Sequence, residues 1–238
     1  MTQRKIKVWD LPTRLFHWLL AGLAGAAIVS GQVGGNAIFW HGRFGLAIVG
    51  LLTFRVVWGV AGSTYARFSQ FVPGPGALTA YLKGQWQGLG HNPLGALSVL
   101  TLLALLLLQV GSGLFANDDI AFRGPLMDLV GRDLSDRLTG LHKGLSNLLV
   151  LLVILHVGAI AFYARVKKDN LLKPMLTGWK ELPPEQAAAA PTAHAQGGGL
   201  AAVIVALALA ALAVWGASGA WIAPPPPPPA SAPATPSW

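Results

Sequence analysis

The chain has 238 residues, 53% of them hydrophobic and only 11% charged, with a formal net charge of +8 and no cysteine. A charged fraction less than half the ~25% of ordinary soluble domains excludes a water-soluble single domain. The absence of cysteine excludes disulfides, thiolate nucleophiles, Cys-ligated iron–sulfur clusters and C-x-x-C-H haem attachment.

A helix needs about 20 apolar residues to cross a bilayer core, and five stretches approach or reach that size. The first covers 15–30, after Arg4, Lys5, Lys7 and Arg14; the second covers 44–62 and is broken by Arg55. The third covers 92–115 and opens on the Asn92-Pro93 pair, the fourth covers 144–163, and the fifth covers 200–223 and is mostly Ala, Leu and Val. These runs are continuous rather than alternating, which predicts helices and not barrel strands. The expected fold is all-α: an integral membrane four-helix bundle over 1–180, a flexible linker over 181–199, a fifth transmembrane helix over 200–223 as an appendage, and a proline-rich tail over 224–238. Six consecutive prolines, Pro224 to Pro229, predict polyproline II in that tail. The first run shares a basic start and small residues with a signal peptide, but its length and the His17-Trp18 pair favour a retained helix. The longest loop, 116–141, contains PLMDLVGRDLSDRL, read as a short amphipathic helix. It either covers a site beneath it, docks a soluble partner protein, or is a plain solvated cap.

A pI near 10.2 invites a nucleic-acid reading, but the cations are distributed by topology. Eleven Lys and Arg fall before the first span, between the second and third, and after the fourth. Arg43, Arg123, Arg132, Arg137 and Lys143 lie on the opposite side, offset by five aspartates. The positive-inside rule then predicts a cytoplasmic N-terminus, a periplasmic tail and no nucleic-acid partner.

Six histidines occur, and four of them, His17, His41, His142 and His156, belong to or open predicted spans. Ionisable residues in membrane helices are rare and face the bundle interior with a functional partner. His142 and His156 are 14 residues apart, nearly four helical turns, so both leave one face about 21 Å apart along the axis. Depth pairs His17 with His156 towards the cytoplasm and His41 with His142 towards the outside. Two imidazoles with no Asp, Glu or Cys at matching depth suit the axial positions of a b-type haem better than zinc, which takes three or four protein ligands, or calcium, which takes oxygens. Room for a porphyrin is expected beside Ala21, Gly45 and Ser146, one turn along from three of the four; Ile160 departs from that trend.

Arg55 follows His41 by 14 residues and shares its face at the depth of the inner pair. A guanidinium there needs an anion, either a propionate of the inner haem with its lipid and quinone surroundings or, by snorkelling, the headgroups. Asn92 and Pro93 read as the cap and first residue of the third helix. His91 beside them donates to a propionate, lines a quinone pocket, or is merely interfacial. His91 and Asp10 are candidate proton acceptors for quinol oxidation, and His194 in the linker is expected to be silent.

The strings VWDLPTRLFHWLLA, WHGRFG, GHNPLGALS and LHKGLSN with LHV resemble the bacterial cytochrome b561 family, which includes related b-type subunits of nickel–iron hydrogenases. The resemblance covers roughly residues 5–180. It implies a four-helix protein of the bacterial inner membrane with two haems b, its axial ligands His17, His41, His142 and His156, passing electrons between the quinone pool and a redox protein such as a soluble cytochrome or dehydrogenase subunit. No side chain is expected to act as a nucleophile; a quinol-linked oxidoreductase is the enzymatic form of this reading. Membrane lipid surrounds the bundle, and a homodimer is allowed. The fifth helix and the tail depart from the simplest family members. Two other readings remain open: a membrane anchor of a hydrogenase or other dehydrogenase complex, and a proton-relay transporter without haem.

Overall fold

The computed structural model describes residues 4–86, 88–120, 122–182 and 195–222. His194, the proline-rich tail and most of the predicted linker lie outside the described residues. The chain runs from strand β1 (Arg4–Lys7) into helices α1 (Leu11–Val33) and α2 (Ala37–Ala61), then through the short α3 (Phe68–Phe71) and α4 (Pro75–Leu82) to α5 (Pro93–Gly113), α6 (Arg132–Arg165) and α7 (Leu172–Thr177). Strand β2 (Trp179–Leu182) and helix α8 (Leu200–Ala217) follow. Among the described residues, α1, α2, α5, α6 and α8 are long and apolar enough to cross a membrane. Large apolar side chains such as Leu151, Ile154 and Leu155 point outward along α6, where hydrocarbon and not water is their solvent.

The helices start where local chemistry satisfies their free amides. Asp10 caps α1, its Oδ1 accepting from Thr13 N at 2.6 Å, and Pro stands in the first turn. Asn92 caps α5 as its sequence context predicts, Oδ1 accepting from Gly95 N at 2.7 Å, with Pro93 as the first helical residue. A side-chain acceptor at this position is worth about 1 kcal/mol.

Helix α2 is the hub, packing against α1, α5 and α8, while α6 packs on α5. At mid-depth Ile48, Leu52, Leu105, Leu106 and Leu149 form a buried core. A second core joins Phe16, Phe54 and Trp58 to Ala206 and Ala210 of α8. Small residues let α8 approach closely: a Cβ on Gly50 of α2 would fall 2.9 Å from Val214. The segment leading into α8 is also anchored, with Thr64 N donating to Gln196 O at 2.8 Å and Ala195 N to Lys7 O at 2.9 Å. The fifth helix is therefore integral to the packing, where its sequence reads as an appendage.

Two further features differ from the sequence reading. Helix α6 begins at Arg132, twelve residues before the apolar run, so the second half of the amphipathic stretch, from Arg132 on, is the leading part of that helix, while Met127–Leu129 forms a separate 3-10 turn. Ser135 and Thr139 on it bind the preceding loop: Asn117 Nδ2 donates to Ser135 Oγ at 2.7 Å, and Asn117 N to Thr139 Oγ1 at 3.0 Å. Strands β1 and β2 pair antiparallel, Arg4 opposite Leu182 and Lys7 opposite Trp179, so residues 181 and 182 belong to a strand and not to the linker. Gly178 enables the return to β1. Its φ of +88° suits glycine, and a Cβ there would meet Trp9 O at 2.7 Å.

Candidate functional site

His41 of α2 and His142 of α6 meet at one end of the bundle, ring centroids 5.8 Å apart and planes at 89°. They line a cavity of about 420 Å³, within the ~300–1,000 Å³ typical of small-molecule sites. Ala24, Ala27, Gly45, Ile48, Leu106 and Ser146 are among its walls, with Gln32, Asn117 and Lys143 supplying polar groups. Gly45 and Ser146 thus stand where the spacing of the sequence put them, beside the two histidines, and nothing lies within 4 Å of a Cβ built on Gly45.

Both rings are held by main chain. His41 Nδ1 lies 2.8 Å from Ala27 O, and His142 Nδ1 lies 2.9 Å from Gln109 O. A carbonyl only accepts, so each Nδ1 carries the proton and donates, leaving Nε2 with the lone pair. A carbonyl that receives the far ring nitrogen fixes the orientation of a histidine, as it does in metal sites. Each ring also lies against a glycine one turn beyond its carbonyl. A Cβ on Gly31 would fall 3.0 Å from His41 Nδ1, and one on Gly113 would fall 2.8 Å from His142 Cε1.

At the opposite end His17 and His156 interact electrostatically, and His91 interacts with both and with Arg55. His91 sits between Trp9 and Phe71, each ring centroid 4.7 Å from its own. Burial first, then the Arg55 cation and the neighbouring histidines, pushes the His91 imidazole down to about 3, so it is neutral at any physiological pH.

Arg55 is only 3% exposed. Its guanidinium carbon lies 4.8 Å from the Phe68 ring centre, 5.8 Å from Phe71 and 6.0 Å from Phe16, an aromatic cover that favours a cation. The side chain does not snorkel to the surface. Asp10 acts on it electrostatically, but the two form no ion pair among the described residues. Both Asp10 oxygens are already engaged, the second by Trp58 Nε1 at 3.0 Å. Arg55 Nη1, His17 Nδ1 and His91 Nδ1 are all buried without a hydrogen-bond partner. Buried polar atoms are almost always satisfied, so three unsatisfied ones at one end of a bundle mark a place for a ligand.

Tyr163 follows His156 by seven residues and shares its helix face. Its hydroxyl pairs with that of Tyr81 and accepts from Asn92 Nδ2 at 3.1 Å, tying α4, α5 and α6 together. Burial and then the bond to Tyr163 hold the Tyr81 phenol up at about 12.

The sequence reading did not single out Gly31, Gly113, Gln109 or the three phenylalanines around Arg55. Gln109 had a signal, since it is a carboxamide interrupting LLALLLLQV; the phenylalanines had none, because two of them reach Arg55 from a four-residue helix outside the predicted spans.

A family model described as prokaryotic cytochrome b561 matches residues 8–178. The chain belongs to the prokaryotic cytochrome b561 family. No curated protein and no solved structure matches it. As a member of that family the protein is a multi-pass membrane b-type cytochrome of electron transfer, and b-type haem is the cofactor the family implies. The matched region of this cytochrome runs from the end of β1 through α7 and contains both histidine groups, whereas α8 lies beyond it.

Proposed function

We propose that this cytochrome b561 protein holds two haems b, one between His41 and His142 and one between His17 and His156, and passes electrons between the quinone pool and a redox protein such as a soluble cytochrome or a dehydrogenase subunit. The observation that carries this reading is the mounting of His41 and His142. Two imidazoles line one cavity with Nδ1 tied to carbonyls and Nε2 left as the lone pair. No group of three or more His, Asp or Glu gathers as a metal site among the described residues. A metal held by these two histidines would take its remaining ligands from a cofactor, as the iron of a b-type haem does from the porphyrin.

When bound, each haem supplies a one-electron couple whose potential the protein tunes through axial ligands, burial and hydrogen bonds. Ile48, Leu52, Leu105, Leu106 and Leu149 keep the space between the two ends dry. Arg55 offers a planar guanidinium to a propionate at the His17–His156 end, and neutral His91 offers the same carboxylate one N–H. The eleven cations on the His17 side orient that end towards the cytoplasm of the inner membrane, with the His41–His142 end outward.

Haem quantification and redox titration of the purified protein test this reading. Two haems per chain are expected in the wild type, each with its own potential. His17→Leu and His41→Leu each retain one, and not the same one. A protein without Soret and α bands after reduction overturns the proposal.

A further inference from the structure

The two imidazoles of the His41–His142 site are mounted by one device used twice. In α1 the Ala27 carbonyl receives Nδ1–H of His41, and Gly31, four residues on, makes room for the ring. In α5 the Gln109 carbonyl receives Nδ1–H of His142, and Gly113, again four residues on, makes room. The two copies differ in the side chain of the residue that supplies the carbonyl. Ala27 ends in a methyl group. Gln109 carries a carboxamide whose Nε2 lies 3.2 Å from His142 Nε2, while its Oε1 is buried without a partner.

The chemistry of that contact has one reading. With the proton on Nδ1, His142 Nε2 only accepts, so the carboxamide donates to it. This is the lone pair that a metal uses. A carboxamide among leucines in the apolar part of a membrane helix is costly, and it is half-satisfied here because its nitrogen is held at the histidine.

We infer that Gln109 is a positioning residue that makes His142 the displaceable ligand of this site: its amide competes with iron for His142 Nε2, and no side chain does the same at His41 Nε2 among the described residues. The inference rests on the haem reading above. Were a haem held here, His142 Nε2 would have to give up its hydrogen bond to the Gln109 amide, with no proton or electron moved, so the amide stabilises the unligated imidazole. Gln109 would thus make His142 the more easily released of the two histidines, and an external ligand to this haem would enter on the His142 side.

The test uses the detergent-purified holoprotein with two probes, excess apomyoglobin as haem acceptor and carbon monoxide added to the reduced protein. Gln109→Leu keeps the volume and removes the donor; Gln109→Ala reproduces the Ala27 arrangement and guards against an effect of leucine packing. In both variants, haem loss from the His41–His142 site slows by roughly tenfold, the scale of one buried hydrogen bond, and the carbon monoxide difference spectrum shrinks. Loss from the second haem, resolved by its own α band, keeps its rate. Unchanged or faster loss in both variants with two haems bound overturns the role of Gln109. A wild type lacking the haem of this site overturns the haem reading and the Gln109 role with it.

Discussion

At the His41–His142 end, two imidazoles hang from main-chain carbonyls in a roomy cavity lined by glycines, alanines and aliphatic side chains, with Gln32, Asn117, Asp118 and Lys143 among its polar walls. At the His17–His156 end the surroundings are ionic and aromatic: a buried guanidinium, a third histidine and a cover of Phe16, Phe68, Phe71 and Trp9. The contrast separates two ways of preparing a membrane interior for a polar cofactor. Main-chain carbonyls fix tautomer and direction without adding charge, which suits ligand positioning. A cation held under aromatic rings, near a carboxylate but in no ion pair with it, suits recognition of an anion and control of a potential.

The largest expected effect comes from deleting a ligand at the carbonyl-mounted end. His142→Leu is expected to lower haem content from two per chain to one, with the surviving potential unmoved; a variant that keeps both haems breaks the distinction between the ends. Gly113→Ala places a methyl group 2.8 Å from His142 Cε1, an overpacking worth about 1–3 kcal/mol. It is expected to weaken haem retention there, while Gly111→Ala on the same helix, outside the cavity lining and with nothing within 4 Å of the new carbon, is expected to leave retention unchanged. Arg55→Leu probes the other end. Removing a buried cation disfavours the added electron, so the potential of that haem is expected to fall by roughly 60 mV, one tenfold in a one-electron equilibrium, with the other haem unchanged in redox titration.

The smallest effect lies outside the membrane, where β2 meets β1. Lys173, at 3.0 Å, and Lys5, at 3.5 Å, hold the Glu181 carboxyl below the usual carboxylate range. A depressed carboxylate stabilises the fold above its unfolded value and loses that contribution as pH falls through the folded value. Acid unfolding followed by thermal shift is expected to be slightly shallower in Glu181→Gln, with both haem bands intact.

Much of this was legible without coordinates. The 14-residue spacing of His142 and His156 becomes two positions on one face of an unbroken α6, because helix periodicity is a local property. The Asn92-Pro93 start of α5 was readable for the same reason. The charged first turns of α6 read as a short helix of their own because the apolar run defined the span; they continue into the span, secured by Ser135 and Thr139 binding Asn117. The β1–β2 pair joins strands of four residues each across most of the chain, too short to show an alternation.

The sequence by itself determined the class of protein, the five apolar spans, the spacing of the histidines along them and the presence of one charge that the lipid interior does not tolerate alone. It did so because lipid imposes a strong and local penalty on polar groups, one residue at a time. Only the tertiary structure decided that Arg55 is roofed by phenylalanines, that α8 closes on α2, and that Ala27 and Gln109 present carbonyls to the two imidazoles. Those contacts depend on how each helix is rotated and crossed against its neighbours. That arrangement is set by small residues and side-chain packing summed over the whole bundle, and no single segment contains it.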